Sequence, residues 1–147
     1  MEQSPDAVVV ERVRASFERQ NAMKLIHANL AVVEAGYTEI HLPIWDGVGQ
    51  QHGFVHGGVV GMIADSAAGY AAMTLAPSGA SVLTVEYKIN LVAAADGETL
   101  IARGRVTRPG RTLIVTQAEV IAVKDGRETL CALMQQTIMV MQDRVEK

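Results

Sequence analysis

The sequence predicts an α+β fold in which a curved antiparallel sheet of about six strands wraps around one long central helix. The first observation is the stretch of residues 55–75, which is apolar or small on every side of a helical wheel and indicates a helix buried all round. The second is a set of strand-like segments separated by turns rich in glycine, proline and aspartate. Because an antiparallel sheet must cover one face with apolar material, we expect it to enclose this helix.

Length and composition limit the class of protein. The chain has 147 residues, 49% of them hydrophobic and 20% charged, which fits a single globular domain. A net charge of −3 without a basic run argues against nucleic acid as a partner. The single cysteine, Cys131, excludes an intrachain disulfide and a cysteine zinc site, and without a signal-peptide pattern it indicates a cytoplasmic location. Asp65 and several glycines make residues 55–75 a poor membrane span, so we expect no membrane partner.

The N-terminal residues predict an amphipathic helix. Ser4 is the expected N-cap, with Pro5 at the first position and Asp6 in the first turn. Apolar residues then recur at helical spacing, and we expect the helix to continue to Leu25. The chain therefore divides into three parts, which are a helical extension (1–27), the main domain (28–142) and a polar tail (143–147).

Two strands and a loop are expected before the central helix. Residues 30–44 have strand-like character and turn tightly at Gly36, which is typical of a hairpin. Residues 45–53 are rich in glycine and form the loop that leads into the helix.

Four further strands are expected after a turn at residues 76–79. They span residues 82–93, 99–107, 112–123 and 129–141. The breaks between them carry Asp96-Gly97, Pro109-Gly110 and Asp125-Gly126, which are hairpin signals. Because consecutive strands joined by short turns pair with each other, we expect an antiparallel meander.

Asp65 is the residue of the central helix that packing does not explain. No lysine or arginine lies within one turn of it in the sequence, and a buried, unpaired acid costs several kcal/mol or stays protonated. The alternative is a structural aspartate that bonds to a neighbouring strand. We favour a catalytic aspartate, acting as a general base toward water or as a nucleophile toward a carbonyl carbon.

The pair Gly57-Gly58 stands where the loop becomes the helix. The first N–H groups of a helix lack internal partners, so this position suits an anion or an oxyanion, with simple turn geometry as the alternative. Gly57 and Asp65 are eight residues apart, which is about 12 Å along a helix. One reacting carbonyl cannot reach both groups in one chain. If both serve one site, two chains must build it, most simply as a two-fold dimer.

Three further polar residues lie close to the helix start. His56 precedes the glycines, with a structural role as the alternative to a catalytic one, and Gln50 and His52 lie in the loop, where each could bond a carbonyl. His52 and His56 have the spacing of a zinc pair, but the surrounding glycines make this stretch a poor helix, so we expect no metal site.

With these residues in view, the chain resembles the hotdog-fold acyl-CoA thioesterases of the phenylacetic acid degradation type. The resemblance covers about residues 30–141. The segments that carry it are His56-Gly57-Gly58 with Asp65 and Tyr70, then Leu83-Thr84-Val85-Glu86-Tyr87-Lys88-Ile89-Asn90, and then Arg108-Pro109-Gly110-Arg111-Thr112. It implies hydrolysis of an acyl-CoA thioester to the free acid and coenzyme A without a metal or cofactor.

The resemblance also implies catalytic roles for individual residues. Asp65 activates a water or attacks the thioester directly, and the Gly57 N–H polarises the thioester oxygen. His56 lies near the thioester sulfur, and Thr84 helps to position the water. Gln50 contacts the carbonyl, where close animal relatives would carry Asn.

Substrate binding and assembly follow from the same resemblance. Gly58 is expected beside the bound substrate, and the hairpin of Arg108, Gly110, Arg111 and Thr112 is expected at the coenzyme A nucleotide, because arginines suit phosphates. A solvated hairpin tip is the alternative for these residues. The family assembles as a homodimer or a homotetramer made of two dimers, with active sites across the dimer interface.

Two other functions stay open from the sequence. A dehydratase or hydratase of the same fold would use His56 and Asp65 as a pair on the acyl chain, although the proline-rich loop of such enzymes is absent from the sequence. A non-catalytic acyl-CoA-binding protein would bind without releasing thiol. The sequence does not indicate which acyl group is bound.

Overall fold

The computed structural model describes residues 6–142, 144, 146 and 147, which form three α-helices and six strands. The helices are α1 (Ala7–Glu18), α2 (Asn21–Ile26) and α3 (Gly57–Met73), and a short 3₁₀ turn spans Asp46–Val48. The strands are β1 (Asn29–Glu34), β2 (Tyr37–Pro43), β3 (Ser81–Leu91), β4 (Thr99–Arg108), β5 (Leu113–Lys124) and β6 (Arg127–Met141). None of the helices in this described part is long and apolar enough to cross a membrane.

The six strands form one antiparallel sheet in the order β1-β2-β4-β5-β6-β3, and α3 packs against it. The predicted fold class is confirmed, and the arrangement is that of the hotdog fold. The hairpin predicted at Gly36 is also confirmed, because β1 and β2 pair on either side of it and Gly36 has a positive φ of 71°.

Small residues let the sheet touch the backbone of α3. A Cβ added to Gly104 on β4 would lie 2.4 Å from the carbonyl carbon and oxygen of Ala67, so only glycine fits there. On the neighbouring strand β2, the buried Thr38 hydroxyl donates to the Ala67 carbonyl at 2.6 Å. The alanines of α3 are fully buried as a result. These contacts therefore fix the distance between α3 and the sheet and the rotation of α3 about its own axis.

The expectation that α3 is buried on every side is wrong for one stripe of the helix. Gly58 is exposed, and Met62, Asp65 and Gly69 are only half-buried. These positions recur every three or four residues and so lie on one face. The sheet of the same chain curves around the rest of the helix and covers this face only in part.

The N-terminal segment forms two helices instead of the single helix predicted. The N-cap is Asp6, whose carboxylate accepts from the Val8 N–H at 3.0 Å, and the predicted cap Ser4 lies outside the described residues. The chain leaves the helix after Glu18 and starts α2 at Asn21. Because of this break, the side chains of Met23 and Ile26 on α2 lie in the main hydrophobic core. The division of the chain at residue 27 stays a prediction.

Helix α1 also closes the C-terminal end of α3. The guanidinium of Arg12 donates to the carbonyls of Met73 at 2.8 Å, Ala76 at 3.1 Å and Pro77 at 3.1 Å. The last carbonyls of a helix lack internal partners and carry partial negative charge, so a cation stabilises this end. Arg12 thereby ties the N-terminal helix to the helix that carries Asp65.

The predicted meander of four strands is wrong for β3. Strands β4, β5 and β6 form a meander, but β3 pairs with β6 at the opposite end of the sheet from β2. The turn signal Asp96-Gly97 therefore does not form a hairpin. The edge of β4 that such a hairpin would need is paired with β2. The connection instead crosses to β6, where the Val92 N–H donates to the Cys131 carbonyl at 2.8 Å.

Candidate active site

Asp65 lies in the middle of α3, and two neighbouring strands supply its hydrogen bonds. The Thr84 hydroxyl on β3 donates to Asp65 Oδ1 at 2.7 Å, and the Gln136 amide nitrogen on β6 donates to the same oxygen at 2.5 Å. The expectation of a fully buried carboxylate without a partner is therefore wrong, because the side chain is half-buried and hydrogen-bonded. The partners come from the sheet, which the local helix sequence does not reveal.

The second oxygen of Asp65 has no hydrogen-bond partner among the residues that the structure describes. A carboxylate with one oxygen held and the other open can take a proton from water or attack a carbonyl carbon. The structure brings Thr84 to Asp65, as the resemblance implies, and adds Gln136, which the sequence analysis missed.

A pocket of about 610 Å³ opens beside Asp65. The side of α3 that faces it carries Asp65, Ser66, Gly69, Tyr70 and Met73, and the start of β3 forms another wall. A Cβ at Gly69 would meet no atom within 4 Å, so this glycine leaves open space one turn beyond Asp65. The pocket is large enough for an acyl group.

His56 is the N-cap of α3. Its ring Nδ1 accepts a hydrogen bond from the Gly58 N–H at 2.8 Å, so the proton of the neutral ring sits on Nε2. A Cβ on Gly58 would lie 2.9 Å from that Nδ1, which explains the glycine. Histidine is not among the usual capping residues, so this role was not expected from the sequence.

The backbone N–H of Gly57, the first residue of α3, finds no acceptor in the described part of the chain. The N–H of Gly58 is occupied by His56, so Gly57 offers the available donor at this helix start. The partial positive charge of a helix N-terminus favours an oxyanion in front of such a donor.

Gly57 and Gln50 line a second pocket, of about 340 Å³, together with Leu91 and Cys131. The side-chain oxygen Oε1 of Gln50 accepts from the His52 backbone N–H, which leaves the side-chain nitrogen Nε2 as a donor. Burial raises the pKa of the Cys131 thiol, so this cysteine stays protonated and is a poor nucleophile. This pocket shares no lining residue with the pocket beside Asp65. One chain therefore does not bring Gly57 and Asp65 to a common pocket.

The hairpin between β4 and β5 contributes to neither of these pockets. Arg108, Arg111 and Thr112 are exposed, and the Thr112 carbonyl accepts from the Val140 N–H at 2.8 Å. A Cβ on Gly110 would lie 1.9 Å from the Leu113 carbonyl oxygen, so the turn requires glycine. The hairpin presents two cations to solvent, which is compatible with phosphate binding.

Gln136 and Thr116 were missed by the sequence analysis, although a signal was present. Gln136 alternates with Met134 and Ile138 on the inner face of β6, and Thr116 alternates with Ile114 in the same way on β5. A polar side chain on an otherwise apolar strand face must find a partner inside the protein.

No group of three or more His, Cys, Asp or Glu side chains in the described residues could hold a metal ion. His52 and His56, the pair with zinc-like spacing, lie in the loop and at the N-cap of α3. The expectation that the reaction needs no metal or cofactor stays a prediction.

Comparison with known proteins points to one family. The family model of the thioesterase superfamily matches residues 52–129, which include His56, Gly57, Asp65, Thr84 and the β4–β5 hairpin. The structure is also similar to that of a thioesterase family protein from Silicibacter pomeroyi. The TM-score is 0.90 at 41% sequence identity, over 91% of this chain and 98% of that one.

Two further solved structures are similar over most of the chain. The E. coli PaaI protein from the phenylacetic acid degradation operon has a TM-score of 0.82 over 97% of each chain, and at 19% identity this likeness shows the fold alone. A Bacillus halodurans protein whose crystal structure was determined with CoA has a TM-score of 0.76 and 26% identity, over 92% of this chain and 90% of that one.

Proposed function

Because this chain belongs to the thioesterase superfamily and is a thioester hydrolase, we propose that it converts acyl-CoA thioesters into free acids and coenzyme A. The observation that carries the proposal is the Asp65 carboxylate. One of its oxygens is held by Thr84 and Gln136, and the other is open beside a pocket. Coenzyme A as the leaving group is supported by the related Bacillus halodurans structure with CoA.

In the proposed reaction, the open oxygen of Asp65 takes a proton from a water molecule while the water oxygen attacks the thioester carbonyl carbon. The alternative is that Asp65 attacks the carbon itself and water then hydrolyses the resulting anhydride. In both routes the carbon–sulfur bond breaks, and the products are the carboxylic acid and the coenzyme A thiol. Thr84 donates to Asp65 and lies where it can also orient the water.

Gly57, Gln50 and His56 act on the other atoms of the thioester. The Gly57 N–H and the Gln50 amide nitrogen donate to the carbonyl oxygen as it gains negative charge. His56 directs its Nε2–H toward the sulfur, because its Nδ1 is already bonded to Gly58. Gly58 gives the substrate room at the helix start and accommodates the His56 ring.

Two protomers build each site in this proposal. Gly57 and Asp65 line separate pockets of one chain, so the helix start of one protomer must face Asp65 of its partner. The edge strand β3 supports such a contact, because among the described strands it pairs with β6 alone and leaves Val85, Tyr87 and Leu91 46% to 56% exposed. An unpaired apolar edge readily pairs with a second copy. A homodimer, or a tetramer of two such dimers, covers it.

The remaining parts of the substrate have separate places. The pocket of about 610 Å³ beside Asp65 takes the acyl group. The exposed hairpin with Arg108, Gly110, Arg111 and Thr112 binds the coenzyme A phosphates. This hairpin lies at the end of the sheet where β3 begins, because Leu113 and Leu83 both pair with Met139.

The test is thiol release from a panel of acyl-CoA substrates by the wild type and by Asp65→Asn. The substitution keeps the shape of the side chain and removes its basicity, so we expect kcat to fall by about 10²- to 10⁴-fold. Asp96→Asn, at an exposed ion pair with Lys124, is the control and keeps wild-type activity.

Near-wild-type turnover by Asp65→Asn would overturn the mechanism. Hydration of crotonyl-CoA without thiol release would favour a hydratase, and tight acyl-CoA binding without either reaction would favour a binding protein.

A further inference from the structure

Gln136 is a fully buried polar residue on the inner face of β6, with 0% of its surface exposed. It pairs across the sheet with Tyr87 on β3 and with Thr116 on β5, so it lies directly beneath α3. Burying a side-chain amide destabilises the fold unless its hydrogen bonds are made. A residue of this kind is retained only where all of its polar atoms have partners.

Each polar atom of the Gln136 amide has such a partner. Its nitrogen donates to Asp65 Oδ1 at 2.5 Å and to Thr84 Oγ1 at 3.2 Å. Its oxygen accepts from the Thr116 hydroxyl at 2.9 Å, and Thr116 is also fully buried. A carboxylate only accepts hydrogen bonds, so the amide must turn its nitrogen toward Asp65. Thr116 then completes the set by donating to the oxygen.

Two donors of this network meet at one oxygen of Asp65, and the Thr116 hydroxyl donates to the Gln136 oxygen behind them. Thr84 and Gln136 both donate to Asp65 Oδ1, and Thr116 fixes the orientation of the amide from behind. Two donors on one oxygen fix the rotation of the carboxyl group about its Cβ–Cγ bond.

We propose that Gln136, oriented by Thr116, is a positioning residue that holds Asp65 Oδ1 and thereby presents Oδ2 as the reacting oxygen. Gln136 does not touch the substrate, because it is fully buried beneath Asp65. The inference rests on one part of the proposed function, which is that Asp65 is the reacting group. It adds a buried Thr116–Gln136 pair, remote in sequence from the helix, to the machinery of the site.

The experiment compares Gln136→Met with the wild type in the full-length protein. Methionine has a similar length and cannot donate a hydrogen bond. Loss of a hydrogen bond to a charged group corresponds to a decrease in kcat of about tenfold to a hundredfold. We expect little change in KM.

A pair of substitutions at Thr116 tests the orienting step and also decides the matter if Gln136→Met does not fold. Thr116→Val keeps the shape of the side chain and removes the hydroxyl, so the amide loses its fixed orientation and kcat falls. Thr116→Ser restores the hydroxyl and should recover most of the activity. The matched control is Thr38→Val, which removes another fully buried threonine hydroxyl that bonds α3 at Ala67. We expect it to lower the melting temperature without lowering kcat.

The side chains that line the Asp65 pocket are the same in all of these variants. A fall in kcat at nearly constant KM therefore reports the lost donor. The inference is overturned if folded Gln136→Met keeps wild-type kcat, or, where it does not fold, if Thr116→Val and Thr116→Ser have the same kcat. If the inference is overturned in this way while Asp65→Asn is inactive, the proposed function still stands. If Asp65→Asn is active, the proposed function itself is wrong.

Discussion

Gly57 is the first residue of α3, so a substitution by proline can remove its backbone N–H donor without disturbing the helix. Proline is well tolerated at the first position of a helix, because the N–H there has no internal partner. The preceding residue, His56, has φ −57° and ψ 132°, a conformation that proline allows in its neighbour. Gly57→Pro therefore removes the proposed oxyanion donor while preserving the helix.

We predict that Gly57→Pro lowers kcat by about 10²- to 10³-fold, the usual effect of losing one oxyanion donor. The measurement is steady-state thiol release from an acyl-CoA. Gly57→Ala is the matched control, because its Cβ meets the same Leu91 side chain at 2.8 Å but its N–H is retained. Equal losses in the two variants would show that the side chain, and not the donor, is responsible.

At the scale of single residues, the sequence revealed residues that are unusual for the element in which they lie. Asp65 in an apolar helix and glycines at a helix start are visible in the sequence alone. Thr84 was named only through the resemblance, and Gln136 was missed, because it is 71 residues from Asp65 and reaches it only through the position of β6 in the sheet. The N-cap role of His56 depends on a ring orientation that spacing does not specify.

At the level of elements, α3 has one stripe that the sheet covers only in part, and Gly69 is its open position near the acyl pocket. Glycine inside a helix is less stable than alanine by about 1 kcal/mol, so the lack of a side chain has a cost at this position. The missing side chain of Gly69 adds volume to the pocket one turn beyond Asp65.

We predict that Gly69→Phe lowers kcat/KM for octanoyl-CoA relative to acetyl-CoA by about tenfold or more, because the ring occupies the space of a long acyl group. The measurement is kcat/KM over a series of chain lengths. Gly69→Ala should keep the wild-type preference and raise the melting temperature. An unchanged preference in Gly69→Phe would place the acyl group elsewhere.

The elements themselves were largely predictable, and their order in the sheet was not. Turn signals such as Asp125-Gly126, with φ of 51° and 76°, fix local hairpins that the sequence predicts correctly. Asp96-Gly97 carries the same kind of signal but joins β3 to β4 without pairing them. The pairing of β4 with β2 and of β3 with β6 is decided by how the sheet closes around α3, which is not a local property.

For the whole molecule, the central claim is that one active site needs two chains. A single protomer has Gly57 and Gln50 at one pocket and Asp65 at another. The partly covered stripe of α3 and the outer edge of β3, which no other described strand pairs with, are both available for a second copy. A two-fold axis between two such chains creates two identical sites, each with a helix start from one chain and an aspartate from the other.

This claim is tested most directly by combining two inactive chains. Gly57→Pro and Asp65→Asn protomers carrying different affinity tags are coexpressed, and the mixed assembly is isolated through both tags. Shared sites predict that each mixed dimer contains one intact pair of groups, so thiol release recovers to about half of the wild-type rate. If each chain instead forms its own site, every site keeps one defect, and the mixed assembly stays as inactive as its two parents.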